Sequence, residues 1–114
     1  MMLADAQLLL AHQRHNSAAD RAYYAMFHAA LAALFQAVPR LPTSHSGLRS
    51  IFGRALVDTR RVDRSLAKDL ATAFNLRQNS TYNVAMVMDQ AVVQTVVAKA
   101  EAFAAAMRQL LGVV

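Results

Sequence analysis

The chain has 114 residues, a formal net charge of +5, and 56% hydrophobic against 17% charged residues, enough apolar material for one domain over residues 1–114 and more than such a domain hides alone. Cysteine is absent, which excludes a disulfide scaffold and any zinc site built on thiolates, and fits a cytoplasmic protein. The N-terminus reads without a basic leader, and no uncharged apolar run reaches the roughly 20 residues that span a bilayer, so neither a targeting segment nor a membrane contact is expected.

Helical spacing of apolar residues runs through the whole chain, and the valine-rich stretches do not alternate as strands do. Helix 1 is expected over about Leu3 to Arg14, then a turn at His15 and Asn16 with Asn16 as N-cap, and helix 2 from Ser17 to about Ala37. Pro39 and Pro42 bracket a loop because proline lacks an amide donor and cannot continue a helix. Thr43 or Ser44 caps helix 3, which runs to about Val57. Asp63 caps helix 4, running to about Tyr82, and helix 5 covers about Val84 to Leu111 before Gly112. The fold class is therefore all-α, an antiparallel bundle of four to five helices.

Helix 5 carries Gln94, Glu101 and Arg108 every seven residues as one narrow polar stripe. Val84, Met88, Val92, Val93, Val96, Val97, Phe103, Met107 and Leu111 cover much of the rest. A helix this apolar is buried on more than one side, either as the centre of the bundle or against a second subunit. A homodimer through an apolar surface of helix 5 or helix 2 is expected.

Basic charge is nearly all arginine, since Lys68 and Lys99 are the only lysines. Arg49, Arg54, Arg60, Arg61 and Arg64 lie close together with Asp58, Asp63 and Asp69 interspersed, which reads either as a solvated helical surface or as a nucleic-acid contact. No Gly-rich phosphate loop or nucleophile elbow is present. His12 and His15 have no carboxylate at ligand spacing, so no metal is expected, and nothing implies a cofactor.

The sharpest local anomaly is in helix 4. Leu66, Leu70, Ala73 and Phe74 make an inward stripe, and Arg77 falls on its continuation. Helix 2 presents Tyr24, Phe27, Leu31, Leu34 and Phe35 on one face, with Asp20 four residues before Tyr24 on that face. Neither charge is cheaply buried alone, so Asp20 and Arg77 are expected to meet, as a structural ion pair or as a carboxylate that orients Arg77 toward a phosphate. After Arg77 comes the polar run Gln78, Asn79, Ser80, Thr81, Tyr82, Asn83, which lines a cleft or is a polar helix end. His28 follows Tyr24 by four residues, as a satisfied core histidine or as an acid, base or ligand. His45 reads as a residue that supports the first turn of helix 3.

The segment from Asn16 through Ser17, Ala18, Ala19, Asp20, Arg21, Ala22, Tyr23, Tyr24, Ala25, Met26, Phe27 and His28 to Ala30 resembles the second helix of HEPN-domain proteins, specifically the small prokaryotic UPF0332-like subgroup. Thr43 to Gly47 at the start of helix 3, and Ala73 to Arg77 followed by Tyr82 at the end of helix 4, agree in order and spacing. The resemblance implies a helical bundle that dimerises, with the helix 4 ends of the two copies facing a shared cleft. It also implies a toxin-antitoxin setting, with a small nucleotidyltransferase as partner.

In the ribonucleases of that family an arginine stabilises developing phosphate charge, and a histidine four to six residues later moves a proton. Arg77 matches the arginine. No histidine follows it; Tyr82 stands five residues on, and Thr81 replaces an acidic residue common in the subgroup. Two functions follow. One is a dimeric module that binds RNA, a nucleotide or a nucleotidyltransferase, with Asp20, Tyr24, His28, Asn79, Ser80, Thr81 and Asn83 lining its site. The other is a metal-independent endoribonuclease toxin using Arg77 with Tyr82 or His28.

Overall fold

A computed structural model describes residues 2–11, 15–82 and 90–112, with side chains at 2–8, 17–78 and 90–112. Among the described residues the elements are α1 (Met2–Ala11), α2 (His15–Phe35), α3 (His45–Phe52), a π-helical turn (Gly53–Val57), α4 (Arg64–Tyr82) and α5 (Gln90–Leu111). All are helical, and together they form the all-α bundle that the periodicity predicts. No helix among them is long and apolar enough to cross a membrane.

The helix ends follow local chemistry, with two departures from expectation. Helix α2 begins at His15, so Asn16 lies inside its first turn and is not a cap; no glycine or proline stands there to force a break. At the other end, the amides of Ala37 and Val38 both donate to the Leu34 carbonyl, and Pro39 prevents continuation. Helix α3 starts at an N-cap on Ser44, whose hydroxyl accepts from the Gly47 amide at 3.0 Å.

The expected single helix to Val57 instead changes pitch at Gly53, where the Asp58 amide reaches the Gly53 carbonyl at 2.8 Å, five residues back. The π turn lets Leu56 be buried alongside Leu48 and Phe52. Asp63 caps α4 by accepting from the Ser65 amide at 3.0 Å, and hydrogen bonding from the Ser65 hydroxyl first, then from this amide, holds its carboxyl below the ordinary range. Gly112, at φ 73°, closes α5 in the left-handed conformation that suits glycine.

Helix α2 is the centre of the bundle, packed chiefly on α5 and α1 and also on α4 and α3. Its buried face is turned relative to the sequence reading. Ala19, Ala22, Tyr23, Met26, Ala30, Ala33 and Leu34 are buried, Tyr24, Phe27 and Leu31 are half-buried, and Phe35 is 72% exposed. The alanines let neighbouring helices approach closely, so the core side is marked by alanines interleaved with Tyr23, Met26 and Leu34 rather than by Tyr24, Phe27 and Phe35.

On α5 the expected pattern holds: Val93, Val96, Val97, Phe103 and Met107 are buried, while Gln94, Glu101 and Arg108 face outward. Val92 is 47% exposed, and Val84 and Met88 lie outside the described residues. Phe52 and Phe103 stack at 5.6 Å, tying α3 to α5. Lys99 pairs with Asp69 at 3.4 Å, and Gln7 donates to Glu101.

Candidate functional site

Three helices bring their polar anomalies to one place. From α4, the Arg77 Nε–H donates to Asp20 Oδ1 on α2 at 3.1 Å, with side chains 18% and 33% exposed. The approach expected from the two stripes is thus present. The Arg77 guanidinium also lies over the Tyr24 ring, 5.0 Å from its centroid, a cation–π contact of roughly 0.5–2 kcal/mol. One N–H of Arg77 is therefore fixed by a carboxylate, while an aromatic face sets the plane of the group.

The wall beside this pair was not legible in the stripes. Tyr23, fully buried, shares a hydrogen bond of 2.6 Å with His45 Nδ1 at the first turn of α3. The His45 ring lies 5.0 Å from Phe27, 5.5 Å from Phe74 and 6.2 Å from Tyr24. Arg49, one turn after His45, rests its guanidinium 4.2 Å above Phe74. His45 therefore does more than support its own helix turn: it bridges α3 to the centre of α2.

Electrostatics follow from this crowding. Burial, then the Arg77 and Arg49 charges, push His45 below its ordinary 6.5, because each disfavours a third positive charge. Burial raises Tyr23 to about 12 against the pull of Arg49, so its hydroxyl keeps its proton. Two buried polar atoms, Arg49 Nη1 and Gln78 Oε1, have no hydrogen-bond partner among the described residues. Such a site favours an anion: Asp20 pairs with Arg77, while Arg49 lies on Phe74 with no carboxylate against it among the described residues.

The other candidates divide. His28 is exposed, not a core histidine; its ring lies 6.3 Å from Tyr24, on the rim of the cluster. The side chains of Asn79, Ser80, Thr81 and Tyr82, and all of Asn83, lie outside the described residues. The arginine group also separates: Arg49 turns inward, while Arg54, Arg60, Arg61 and Arg64 are exposed. Arg60, Arg61 and Arg64 surround an open cleft of about 560 Å³ together with Asp58 and Asp63, a nearly balanced surface. Among the described residues, no group of three or more His, Cys, Asp or Glu is placed to hold a metal.

Residues 2–110 match the model of the HEPN domain family. The chain belongs to the HEPN family. It is 34% identical over 109 residues to a Thermotoga maritima protein named "UPF0332 protein", covering 96% of this chain and 82% of that one. It is 30% identical over 80 residues to a Methanocaldococcus jannaschii protein that carries the name "Putative toxin", covering 70% of this chain and 59% of that one.

Within the HEPN fold seen here, sequence reading anticipated the approach of Asp20 and Arg77; it placed Arg49 in the arginine group and His45 in the first turn of helix 3, and did not anticipate that they meet Tyr23 and Phe74 beside that pair. Two spacings carried the missing signal. Tyr23 follows Asp20 by three residues and Arg49 follows His45 by four, so each pair shares a helix face.

Proposed function

We propose that this HEPN chain is a single-domain, cytoplasmic, toxin-like module that acts as a homodimer and binds RNA through its phosphates at the Arg77 cleft, with a small nucleotidyltransferase as its neutralising partner. The observation that carries the reading is the Arg77 guanidinium, held by Asp20 along one edge and by the Tyr24 ring across its face. A guanidinium fixed in this way is prepared for a phosphate, because the entropy of ordering a long side chain is already spent. Asn79, Ser80, Thr81 and Asn83, which follow Arg77 in sequence, supply neutral hydrogen-bonding groups to the same ligand, and His28 stands at the rim. The toxin name of the Methanocaldococcus jannaschii relative supports the cellular role.

The test is fluorescence anisotropy with a labelled single-stranded oligoribonucleotide across a salt series. Wild-type affinity is expected to fall steeply with salt, as backbone recognition requires, and Arg77→Ala to weaken binding by on the order of tenfold or more while the helical signal is unchanged. Binding by folded protein that ignores both salt and Arg77 overturns the reading.

Cleavage of the bound RNA is the second reading, favoured by one observation: an imidazole, His45, stands in the aromatic cluster beside Arg77 although no histidine follows Arg77 in the sequence. RNA incubated with the protein in the presence of a chelator is then cut by wild type and not by Arg77→Ala. In that reading His45→Ala, Tyr82→Phe and His28→Ala show which of the three contributes.

A further inference from the structure

The first turn of α3 stands beside the Asp20–Arg77 pair and brings its own chemistry. Tyr23 is completely buried, and its hydroxyl has one hydrogen-bond partner among the described residues, His45 Nδ1 at 2.6 Å. If the hydroxyl accepted from Nδ1–H, its own proton would be buried without an acceptor. Donation to Nδ1 avoids that cost and places the ring proton of neutral His45 on Nε2. Nε2 makes no hydrogen bond among the described residues, and the His45 side chain is half-buried rather than enclosed.

Arg49 projects from the next turn of the same helix and lies on Phe74, with Nη1 buried and without a partner among the described residues. Among the described residues, the Phe74 ring is the group this guanidinium faces, and no carboxylate is paired with it.

We propose that His45 and Arg49 form, together with Arg77, a phosphodiester-binding site in which His45 Nε2–H touches the bound phosphate and Tyr23 acts as the positioning residue. The proposal rests on the reading that the Arg77 cleft takes RNA, and it adds three residues from α2 and α3 to that contact. Both protonation states of His45 present a donor at Nε2; the charged one binds an anion more strongly, while its Nδ1–H turns the Tyr23 hydroxyl from donor to acceptor, a cost that the bound anion must outweigh.

After burial, Arg77 and Arg49 lower the His45 pKa, and the ionisable groups on the helices packed against it are few. Helix α2 brings Asp20, Tyr23, Tyr24 and His28, α3 brings Arg49, and α4 brings Arg77. A bound phosphodiester offsets the two arginines and so raises the His45 pKa. By linkage, binding tightens as pH falls through the histidine range, where a phosphodiester itself does not change charge.

The experiment uses the full chain with ¹⁵N-labelled histidine and a short oligouridylate. The His45 imidazole resonances are followed through a pH titration with and without the oligonucleotide, beside affinities over the same pH range. The expected result is a His45 midpoint below 6.5 in the unliganded protein that moves upward when oligouridylate binds, and an affinity that rises as pH falls.

His45→Gln keeps a donor near the Nε2 position but cannot titrate, so its binding is expected to lose the pH dependence. Arg49→Gln is expected to weaken binding severalfold. Tyr23→Phe keeps the packing of the ring and is expected to displace the His45 midpoint. Arg77-dependent binding that leaves the His45 midpoint in place, with the same pH profile in His45→Gln, overturns this proposal and leaves the proposed function standing. Binding that ignores Arg77 as well overturns both.

Discussion

The Tyr23–His45 hydrogen bond makes two residues with opposite pKa displacements meet in one place, and each displacement sets one edge of a stability window. Tyr23 releases its proton at about 12 in the folded chain against 10.0 when unfolded. The unfolded state therefore loses the proton first, and stability is lost as pH rises from 10 to about 12. His45 is displaced downward from 6.5, so the unfolded state takes up a proton first on acidification, and stability is full above 6.5 and declines as pH falls through it. Urea midpoints over a pH series are expected to fall at both ends. Tyr23→Phe should remove the alkaline loss and cost about 1 kcal/mol at neutral pH for the missing hydrogen bond; an unchanged alkaline limb in that variant would contradict the assignment. At this scale the sequence discloses charge anomalies better than neutral ones. Asp20 and Arg77 stand out because a charge on an apolar stripe demands a partner. Tyr23 and Tyr24 are adjacent on α2, about 100° apart around its axis, and only packing decides which of two tyrosines goes inside.

Among the elements, α3 holds His45 and Arg49 in place, and its start depends on two residues acting as a unit. The Ser44 hydroxyl caps the Gly47 amide, and a Cβ at position 47 would lie 2.9 Å from that hydroxyl oxygen. Ser44→Ala is expected to destabilise the chain by about 1 kcal/mol through loss of the cap. Gly47→Ala gains helix propensity of up to about 1 kcal/mol but displaces the capping hydroxyl, so its net effect in the wild type is expected to be near zero. In the Ser44→Ala background no hydroxyl remains to displace, and the same substitution should stabilise. Thermal melts of the two single variants and the double variant check this; simple additivity would show that Gly47 and the cap are independent. The cap was readable in the sequence to within one residue, Thr43 or Ser44, because both follow the proline loop and precede an apolar stripe, and the structure places it on Ser44. The π turn at Gly53–Val57 was not, since the i→i+5 bond to Asp58 comes from fitting Leu56 into the core rather than from any local preference. The rotated face of α2 was hidden for a related reason: hydropathy weights Phe35 above Ala30 and Ala33, whereas helix approach favours the alanines.

At the scale of the whole molecule, the bundle leaves apolar surface uncovered at the C-terminal end of α2. Phe35 is 72% and Leu41 is 37% exposed, and with Leu31, Ala32, Gln36 and Leu111 they line an open groove of about 480 Å³. Elsewhere α5 turns mainly small or polar residues outward, including Ala98, Ala102 and Ala105, so its apolar composition is largely satisfied within the bundle. Of the two helices expected to carry a dimer contact, α2 therefore makes the stronger case, with α5 contributing Leu111 at the groove's edge. An exposed phenylalanine flanked by leucines is more than a scattered surface residue, because burying the cluster against a second copy gains roughly 25 cal/mol for each Å² of apolar surface removed from water. Light scattering over a dilution series is expected to give twice the chain mass at micromolar concentration for wild type. Phe35→Ser should shift the midpoint toward monomer at least tenfold in concentration. The substitution is at an exposed position, so its thermal stability at matched monomer fractions should change little. A wild-type chain that scatters as a monomer throughout that range would remove self-association and leave the groove as a contact for a different protein. A dimer that tolerates Phe35→Ser without any shift would place the interface on another face, with Val92 on α5, 47% exposed, as the next position to test.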